Sequence, residues 1–268
     1  MTTDIFFGSE AQQEMQRRAA ALWQLVSDDS RFAYEGRCVA LDGASPAVVD
    51  LSKALVVAQG GSASFFVKAS DEDKVTAALN AEGFSTDRWE HLMGAETSVG
   101  ISRDILAKAR LPDGYRICEI GPESSAEEVR QFVDLALSCG VLPPAGMALR
   151  GLTRNSVAYL LLDPQGRGIS CSGAVARHHP ESPFGDSAWW GMLATREDMR
   201  GRGFSVHLGA LALTSIAERF GVHRFYTGVR RDNLVSMGLC RKLGLGDHGL
   251  VVIAALDRKL FGDAQITK

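Results

Sequence analysis

One stretch of this sequence constrains its fold more than any other: Thr195–Ser205, which reads TREDMRGRGFS. The residues before it, Ala188–Ala194, are apolar and aromatic enough to form a β-strand. The residues after it have the composition of a helix that ends at Gly221. A strand, a glycine-punctuated basic loop and a helix in this order place several backbone N–H groups at a helix N-terminus, where the helix dipole adds about half a positive charge.

The loop itself has the chemistry of a phosphate-binding turn. Gly201 and Gly203 allow positive φ and a close approach of the main chain to a ligand. Arg200 and Arg202 add planar cationic groups that match phosphate oxygens. We therefore predict that this loop binds a phosphorylated ligand.

Three kinds of phosphate loop compete for this stretch. A Walker loop requires G-x-x-x-x-G-K-[ST], and the chain contains no such run. A dinucleotide-binding loop requires G-x-G-x-x-G, but Val206 stands in the third place and no acidic strand end follows. The third kind is R-x-x-G-x-[GA], which Arg200, Gly203 and Ser205 fill with one change, serine for glycine or alanine. On these residues the loop resembles that of the GNAT N-acetyltransferase family.

The resemblance continues on both sides of the loop. Leu193-Ala194-Thr195 stands where the family has the end of a strand, and a second strand is predicted at Phe225–Val229. Asn233 follows, and then Ser236, Leu239 and Leu243-Gly244-Leu245, similar to the family pattern N-x-x-A-x-x-L-Y-x-x-x-G-F. The resemblance covers roughly the C-terminal half of the chain.

The resemblance implies an α/β (α+β) fold with a mixed, mainly antiparallel sheet flanked by helices. It implies acetyl-CoA as the acyl donor and N-acetyl transfer to an amine, most simply that of a small molecule, by direct attack in a ternary complex. It also implies a set of cofactor-binding residues: Leu193, Ala194, Thr195, Arg200, Gly201, Arg202, Gly203, Phe204, Ser205, Asn233 and Ser236.

The general acid is where this chain departs from the family. Cys240 occupies the place where many members carry a tyrosine that protonates the leaving thiolate. A thiol with an ordinary pKa of about 8.5 could donate a proton to a thiolate of similar basicity. Cysteine is also a small hydrophobic residue, so Cys240 could simply pack in the core. Tyr226 could face the cleft instead, although a core position is the better expectation.

The general base is not identified by the sequence. The strand Ala188–Ala194 contains no carboxylate. The loop before it contains His178, His179, Glu181 and Asp186, which could supply a base, but a solvated loop is the favoured interpretation.

The sequence divides into two parts, an N-terminal α/β domain at residues 1–110 and the GNAT-like domain at 111–268. Arg103–Gly114 reads as the connection. The order of helices and strands before it resembles the last part of an acetyltransferase domain, so this part is either a degenerate partial copy of the same fold or an unrelated α/β cap. It lacks the phosphate loop, and we assign it no cofactor.

Composition limits the remaining classes of function. The net charge of −3 offers no basic surface for nucleic acid or an anionic membrane, so we expect neither as a partner. The N-terminus lacks the basic and apolar regions of a signal peptide, and the five cysteines form no C-x-x-C pair, so we expect a cytoplasmic protein with reduced thiols and no metal. A homodimer is an open alternative.

Two other functions remain as alternatives. The missing tyrosine and the missing strand carboxylate would fit a CoA-binding module without turnover, with a regulatory or structural role. An oxidoreductase that binds a dinucleotide through the same glycines is disfavoured by Val206.

Overall fold

A computed structural model of the chain describes residues 5–262, which contain nine helices and ten strands. The helices are α1 (Glu10–Val26), α2 (Pro46–Gln59), α3 (Glu72–Asn80), α4 (Glu96–Lys108), α5 (Ala126–Ser138), α6 (Gly146–Leu149), α7 (Phe204–Phe220), α8 (Leu234–Lys242) and α9 (Arg258–Phe261). The strands are β1 (Ala33–Tyr34), β2 (Val39–Asp42), β3 (Gly61–Lys68), β4 (Ser85–Gly94), β5 (Arg116–Glu119), β6 (Ser156–Leu162), β7 (Gly168–Val175), β8 (Ser187–Thr195), β9 (Arg224–Val229) and β10 (Gly246–Leu256).

All ten described strands join one sheet, in the order β1-β2-β3-β10-β4-β9-β8-β7-β6-β5. The pairs β2·β3 and β8·β9 are parallel, and the other neighbours are antiparallel. The predicted mixed, mainly antiparallel sheet flanked by helices is therefore confirmed.

The sheet contains the same run of elements twice. The run β2–α2–β3–α3–β4 repeats as β8–α7–β9–α8–β10, and each run opens with a parallel pair of strands. The last strands are exchanged: β4 pairs with β9, β10 pairs with β3, and β4 and β10 pair with each other at the centre. This arrangement favours a partial copy over an unrelated cap for the N-terminal part.

Helix boundaries follow local chemistry wherever caps are present. Ser45 accepts a hydrogen bond from the N–H of Val48 and precedes Pro46, so these two residues set the start of α2. Ser125 forms a capping box with Glu128 at the start of α5. Gly221 ends α7 in the left-handed conformation, as predicted.

Helix α4 corrects the prediction that Arg103–Gly114 is all connection, because residues 103–108 are its last turns. Sequence analysis does not predict this helix, because its buried positions include Ser98 and Ser102 and therefore do not form an apolar stripe. Its N-cap, Ala95, makes no side-chain hydrogen bond either. The connection proper is residues 109–115, and the division into 1–110 and 111–268 stays a prediction because the two parts share one sheet.

A second local correction concerns the start of α3. The sequence suggests Ser70 as its N-cap, but residues 69–71 form a 3₁₀ turn and α3 begins at Glu72. Glu72 and Asp73 place acidic side chains in the first turn of α3, where they suit the helix dipole.

Each face of the sheet covers its own core. The two adjacent tryptophans of β8 point to opposite faces, as a strand requires. Trp189 belongs to the core that includes α5, whereas Trp190 belongs to the core that includes α7 and donates from Nε1 to the carbonyl of Gly209.

Three further observations concern residues 5–262 only. All five cysteines are free thiols. No group of three or more His, Cys, Asp or Glu side chains is arranged to hold a metal ion in this range. Within it, every helix is too short or too polar to cross a membrane.

Candidate active site

Strands β8 and β9 separate and leave a gap in the sheet. Their parallel pairing is limited to residues 187–189 with 224–226. Beyond Trp189 and Tyr226, β8 pairs only with β7, and β9 pairs only with β4. The gap therefore opens between residues 190–195 and residues 227–229.

A β-bulge lies on β8 at the edge of this gap. Three steps along β8, from Gly191 to Ala194, oppose two steps along β7, from Gly173 to Cys171. Met192 within the bulge has φ +56°, a conformation that side chains rarely adopt. A bulge leaves one residue outside the regular ladder, so β8 offers backbone polar groups to a ligand in the gap.

The predicted phosphate loop leads from this strand to the N-terminus of α7. Gly201 and Gly203 have φ +77° and +81°, and a Cβ atom at either position would meet no atom within 4 Å. Gly203 is the N-cap of α7 and supplies no side-chain hydrogen bond. Because the first N–H groups of a helix lack partners within the helix, this end of α7 can receive an anion.

The ends of the loop are tied together by hydroxyl groups. Thr195 Oγ1 lies 2.7 Å from Ser170 Oγ and 2.6 Å from Ser205 Oγ, which links β7, β8 and the first turn of α7. Arg200 donates from Nε to the carbonyl of Thr195 at 3.3 Å. Phe204 is buried and stacks on Tyr115.

The predicted cofactor-binding residues fall into two groups in space. The group from Leu193 to Ser205 lies along the gap and the loop; within it, Leu193 is half-buried and Ala194 is buried, while Arg200 to Gly203 are exposed. Asn233 and Ser236 lie instead at the N-terminus of α8, where Asn233 Oδ1 accepts from the N–H of Ser236 at 3.1 Å. Their part in cofactor binding stays a prediction.

Cys240 occupies a core position on α8. It is 2% exposed and packs in the apolar cluster of α7. Burial raises the pKa of the Cys240 thiol to about 12. The surroundings are those of a packing residue.

Tyr226 also lies in the core, as expected. Its hydroxyl accepts a hydrogen bond of 2.6 Å from Arg177 Nε, and its ring stacks on His91 at 5.3 Å. Burial raises the pKa of Tyr226.

A buried ionic network surrounds Arg177 and joins the two repeats. Arg177, which is fully buried, lies 3.4 Å from Glu35 and 3.2 Å from Asp42. Asp42 also pairs with His178 Nε2 at 2.9 Å. The prediction of a solvated loop is therefore wrong for His178. This side chain is buried and pairs with Asp42, which is far away in the sequence.

The rest of that loop is more exposed. His179 is half-buried, Glu181 is exposed, and exposed Asp186 pairs with Arg224.

The network fixes the protonation of its members. Burial opposes charge on Asp42, but the hydrogen bond from His178 and the charge of Arg177 outweigh burial and lower the pKa of this carboxyl. Burial lowers the pKa of His178, although Asp42 opposes the change. Burial and the charge of Arg177 lower the pKa of His91 to about 3. Both histidines are therefore neutral at pH 7.

A pocket of about 100 Å³, here called the central pocket, lies where β8 and β9 separate. Phe65, Trp89 and Trp189 form aromatic walls, and Glu35 and Arg37 supply its charged groups. These two charged residues were not recognised from the sequence, where neither a motif nor a periodic pattern marks them.

Comparison with known proteins identifies the C-terminal part. Residues 152–245 match the model of the acetyltransferase (GNAT) family, a stretch that contains the gap, the loop and α8. This part of the chain is therefore similar to a GNAT acetyltransferase domain. No curated protein matches the chain in sequence.

Solved structures extend the similarity of fold to most of the chain. A GCN5-related N-acetyltransferase from Kribbella flavida is 14% identical with a TM-score of 0.56; the match covers 91% of this chain and 95% of that one. A GCN5-related N-acetyltransferase-like protein from Streptococcus suis is 12% identical with a TM-score of 0.51, covering 92% and 100%. A tandem GNAT protein from the clavulanic acid biosynthesis pathway is 13% identical with a TM-score of 0.51, covering 78% and 67%.

Proposed function

We propose that this protein transfers an acetyl group from acetyl-CoA to the primary amine of a small molecule, in the cytoplasm. The observation that carries the proposal is the uncapped N-terminus of α7, which stands at the end of the gap between β8 and β9. Its two glycines leave the space that a pyrophosphate needs, so the residues present fit acetyl-CoA.

The residues of the loop would hold the phosphates. Backbone N–H groups of Gly201 to Ser205 would donate to the anion, and the exposed Arg200 and Arg202 lie in the same loop. The free edge of β8 beside the gap would pair with the pantetheine arm as an added strand does.

When bound, acetyl-CoA supplies an acetyl thioester. The bulge of β8 near Leu193 would then offer a backbone N–H to the thioester oxygen, on which charge develops during attack. Holding the amine and the thioester together can lower the barrier by about 7–11 kcal/mol. Most of the rate enhancement would come from this positioning.

Cys240 does not enter this proposal as the proton donor. A thiol whose pKa is about 12 is a much weaker acid than one with the ordinary pKa of about 8.5. We assign Cys240 to packing. The leaving thiolate would take its proton from the attacking nitrogen, directly or through water.

Isothermal titration with acetyl-CoA, with NAD as the control ligand, tests the first step. We expect saturable binding of acetyl-CoA alone, followed by release of CoA thiol when an acetylatable amine is added. Binding without release against any amine would instead support the CoA-binding module. Absence of binding would refute the assignment of the loop.

A further inference from the structure

The central pocket contains a carboxylate with unused capacity for hydrogen bonds. Glu35 is 4% exposed, and among residues 5–262 its carboxylate accepts one hydrogen bond, from Arg177 at 3.4 Å. Nearby Asp42 is better satisfied, because it accepts from Arg177 at 3.2 Å and pairs with His178 at 2.9 Å. An ionised carboxylate can accept about four hydrogen bonds, so Glu35 can bind another cation.

The same pocket contains a cation that forms no salt bridge with any described residue. Arg37 is half-buried and donates from Nε to the carbonyl of Leu142 at 2.6 Å. Its guanidinium lies over the ring of Trp189, 4.5 Å from the centroid. Within the described part of the chain no carboxylate lies within 4.0 Å of it, and its two terminal nitrogens are uncommitted. Burial lowers the pKa of Arg37, although the nearby charge of Glu35 opposes the change.

These two groups of opposite charge line one pocket beside the gap where acyl transfer is proposed. Building on that function, we infer that the central pocket selects an acceptor bearing both a primary ammonium and a carboxylate, which is an amino acid. Its ammonium binds Glu35 and the aromatic walls, and its carboxylate binds the fork of Arg37.

This assignment gives the N-terminal part of the chain a role. Glu35 and Arg37 precede β2, and Phe65 and Trp89 lie on β3 and β4. The C-terminal part contributes Trp189 and the small or aliphatic residues Gly228, Val252 and Ala254. The N-terminal part therefore supplies both charged groups and two of the three aromatic walls that recognise the acceptor.

The chemical step follows from this placement. The ammonium gives one proton to Glu35, and the neutral nitrogen attacks the thioester carbon. A C–N bond forms as the C–S bond breaks. The second nitrogen-bound proton passes to sulfur, so the products are the N-acetyl amino acid and CoA thiol.

The test compares each amino acid with the amine that lacks only its carboxylate, in an assay of CoA thiol release. Suitable pairs are L-alanine with ethylamine, L-leucine with 3-methylbutylamine, and L-phenylalanine with 2-phenylethylamine. We expect at least one amino acid to exceed its matched amine in kcat/KM by about 10- to 100-fold, the range of a hydrogen-bonded charge pair. Equal or better turnover of the plain amines would overturn the inference.

Substitutions of Glu35 and Arg37 show what each charged group contributes to binding of the acceptor. Arg37→Gln should raise KM for the amino acid about tenfold or more and leave the matched amine unchanged. Arg37→Glu should shift preference to a diamine such as 1,3-diaminopropane. Glu35→Gln should lower kcat/KM for both members of a pair. The exposed Glu123→Gln serves as the control. Equal losses for amino acid and amine in Arg37→Gln would assign Arg37 to structure.

A separate titration keeps the two proposals distinguishable. Glu35→Gln and Arg37→Gln should bind acetyl-CoA as the unmodified protein does, which also shows that they fold. If acetyl-CoA binds and amino acids are not acetylated, the acceptor assignment fails while the cofactor assignment stands. If acetyl-CoA does not bind the unmodified protein, both fail.

Discussion

Two strand–turn–helix units of this chain, β2–α2 and β8–α7, have the same order of elements but different turns. Between β8 and α7 the turn spans residues 196–203 and contains two glycines with positive φ. Between β2 and α2 it spans residues 43–45 only. There Gly43 donates to the carbonyl of Phe65 at 2.6 Å, which joins the turn to β3.

The N-termini of α2 and α7 also differ in how their first N–H groups are capped. At α2, Ser45 accepts the N–H of Val48, and Pro46 has no N–H to offer. At α7, Gly203 leaves the first N–H groups without a side-chain cap. The comparison teaches that the turn and the cap, rather than the strand and the helix, decide which unit can receive a phosphate.

The largest effect we expect tests whether the N-terminal and C-terminal parts unfold together. Arg177→Met removes the cation that Glu35 and Asp42 of the N-terminal part share with Tyr226 of the C-terminal part. Because the two carboxylates stay buried without their cation, the variant should lower the free energy of unfolding by about 3–5 kcal/mol. Urea denaturation should show this as a single shifted transition. Two separate transitions would mean that the two parts fold independently.

A second variant pair compares the turns directly. Gly203→Val should reduce acetyl-CoA affinity at least about 100-fold, because a branched side chain resists the left-handed conformation and fills the space for phosphate. Gly43→Val is the matched control, since Gly43 has φ +82° and equally open surroundings. Titration should show unchanged affinity in the control. Equal losses in both variants would trace the effect to backbone strain.

A third prediction concerns pH. Folding lowers the pKa of His91 to about 3, so below the ordinary value of about 6.5 the unfolded chain binds the extra proton and stability falls as pH falls. His91→Phe should flatten this loss by about 1.4 kcal/mol per pH unit between about pH 4.5 and 6. His178 retains its own share of the slope.

The readout is urea denaturation across that pH range. Both ring nitrogens of His91 are buried without hydrogen-bond partners among the described residues, so the variant should lose no stability at pH 7. An unchanged slope would show that His91 is protonated in the folded protein.

The smallest effect concerns the cap of the N-terminal unit. Ser45→Ala should lower the free energy of unfolding by about 1 kcal/mol, the usual value of an N-cap. It should leave acetyl-CoA binding unchanged, with one site per chain. A second binding event in the titration would show that the cap alone keeps phosphate from α2.

Sequence reasoning reached the fold and the loop because both depend on local signals. Caps such as Ser45 and glycines such as Gly221 mark helix ends, and the pattern around Arg200 and Gly203 is contiguous. Helix α4 was missed because serines occupy buried positions on it.

The central pocket could not be predicted for a different reason. Glu35 and Arg177 lie 142 residues apart in sequence and meet only in the folded sheet. His178 was misjudged because Asp42, which buries it, is equally remote. No local sequence pattern predicts a contact between residues that are so far apart.

The exchanged position of β10 has a consequence for synthesis of the protein on the ribosome. Strands β3 and β4 are complete by residue 94, but the strand that lies between them begins at residue 246. Because synthesis adds about 5–20 residues per second, the facing edges of β3 and β4 stay unpaired for roughly 10–30 s. Unpaired edges attract other chains. The nascent protein therefore passes through a period in which chaperone protection of its N-terminal part matters most.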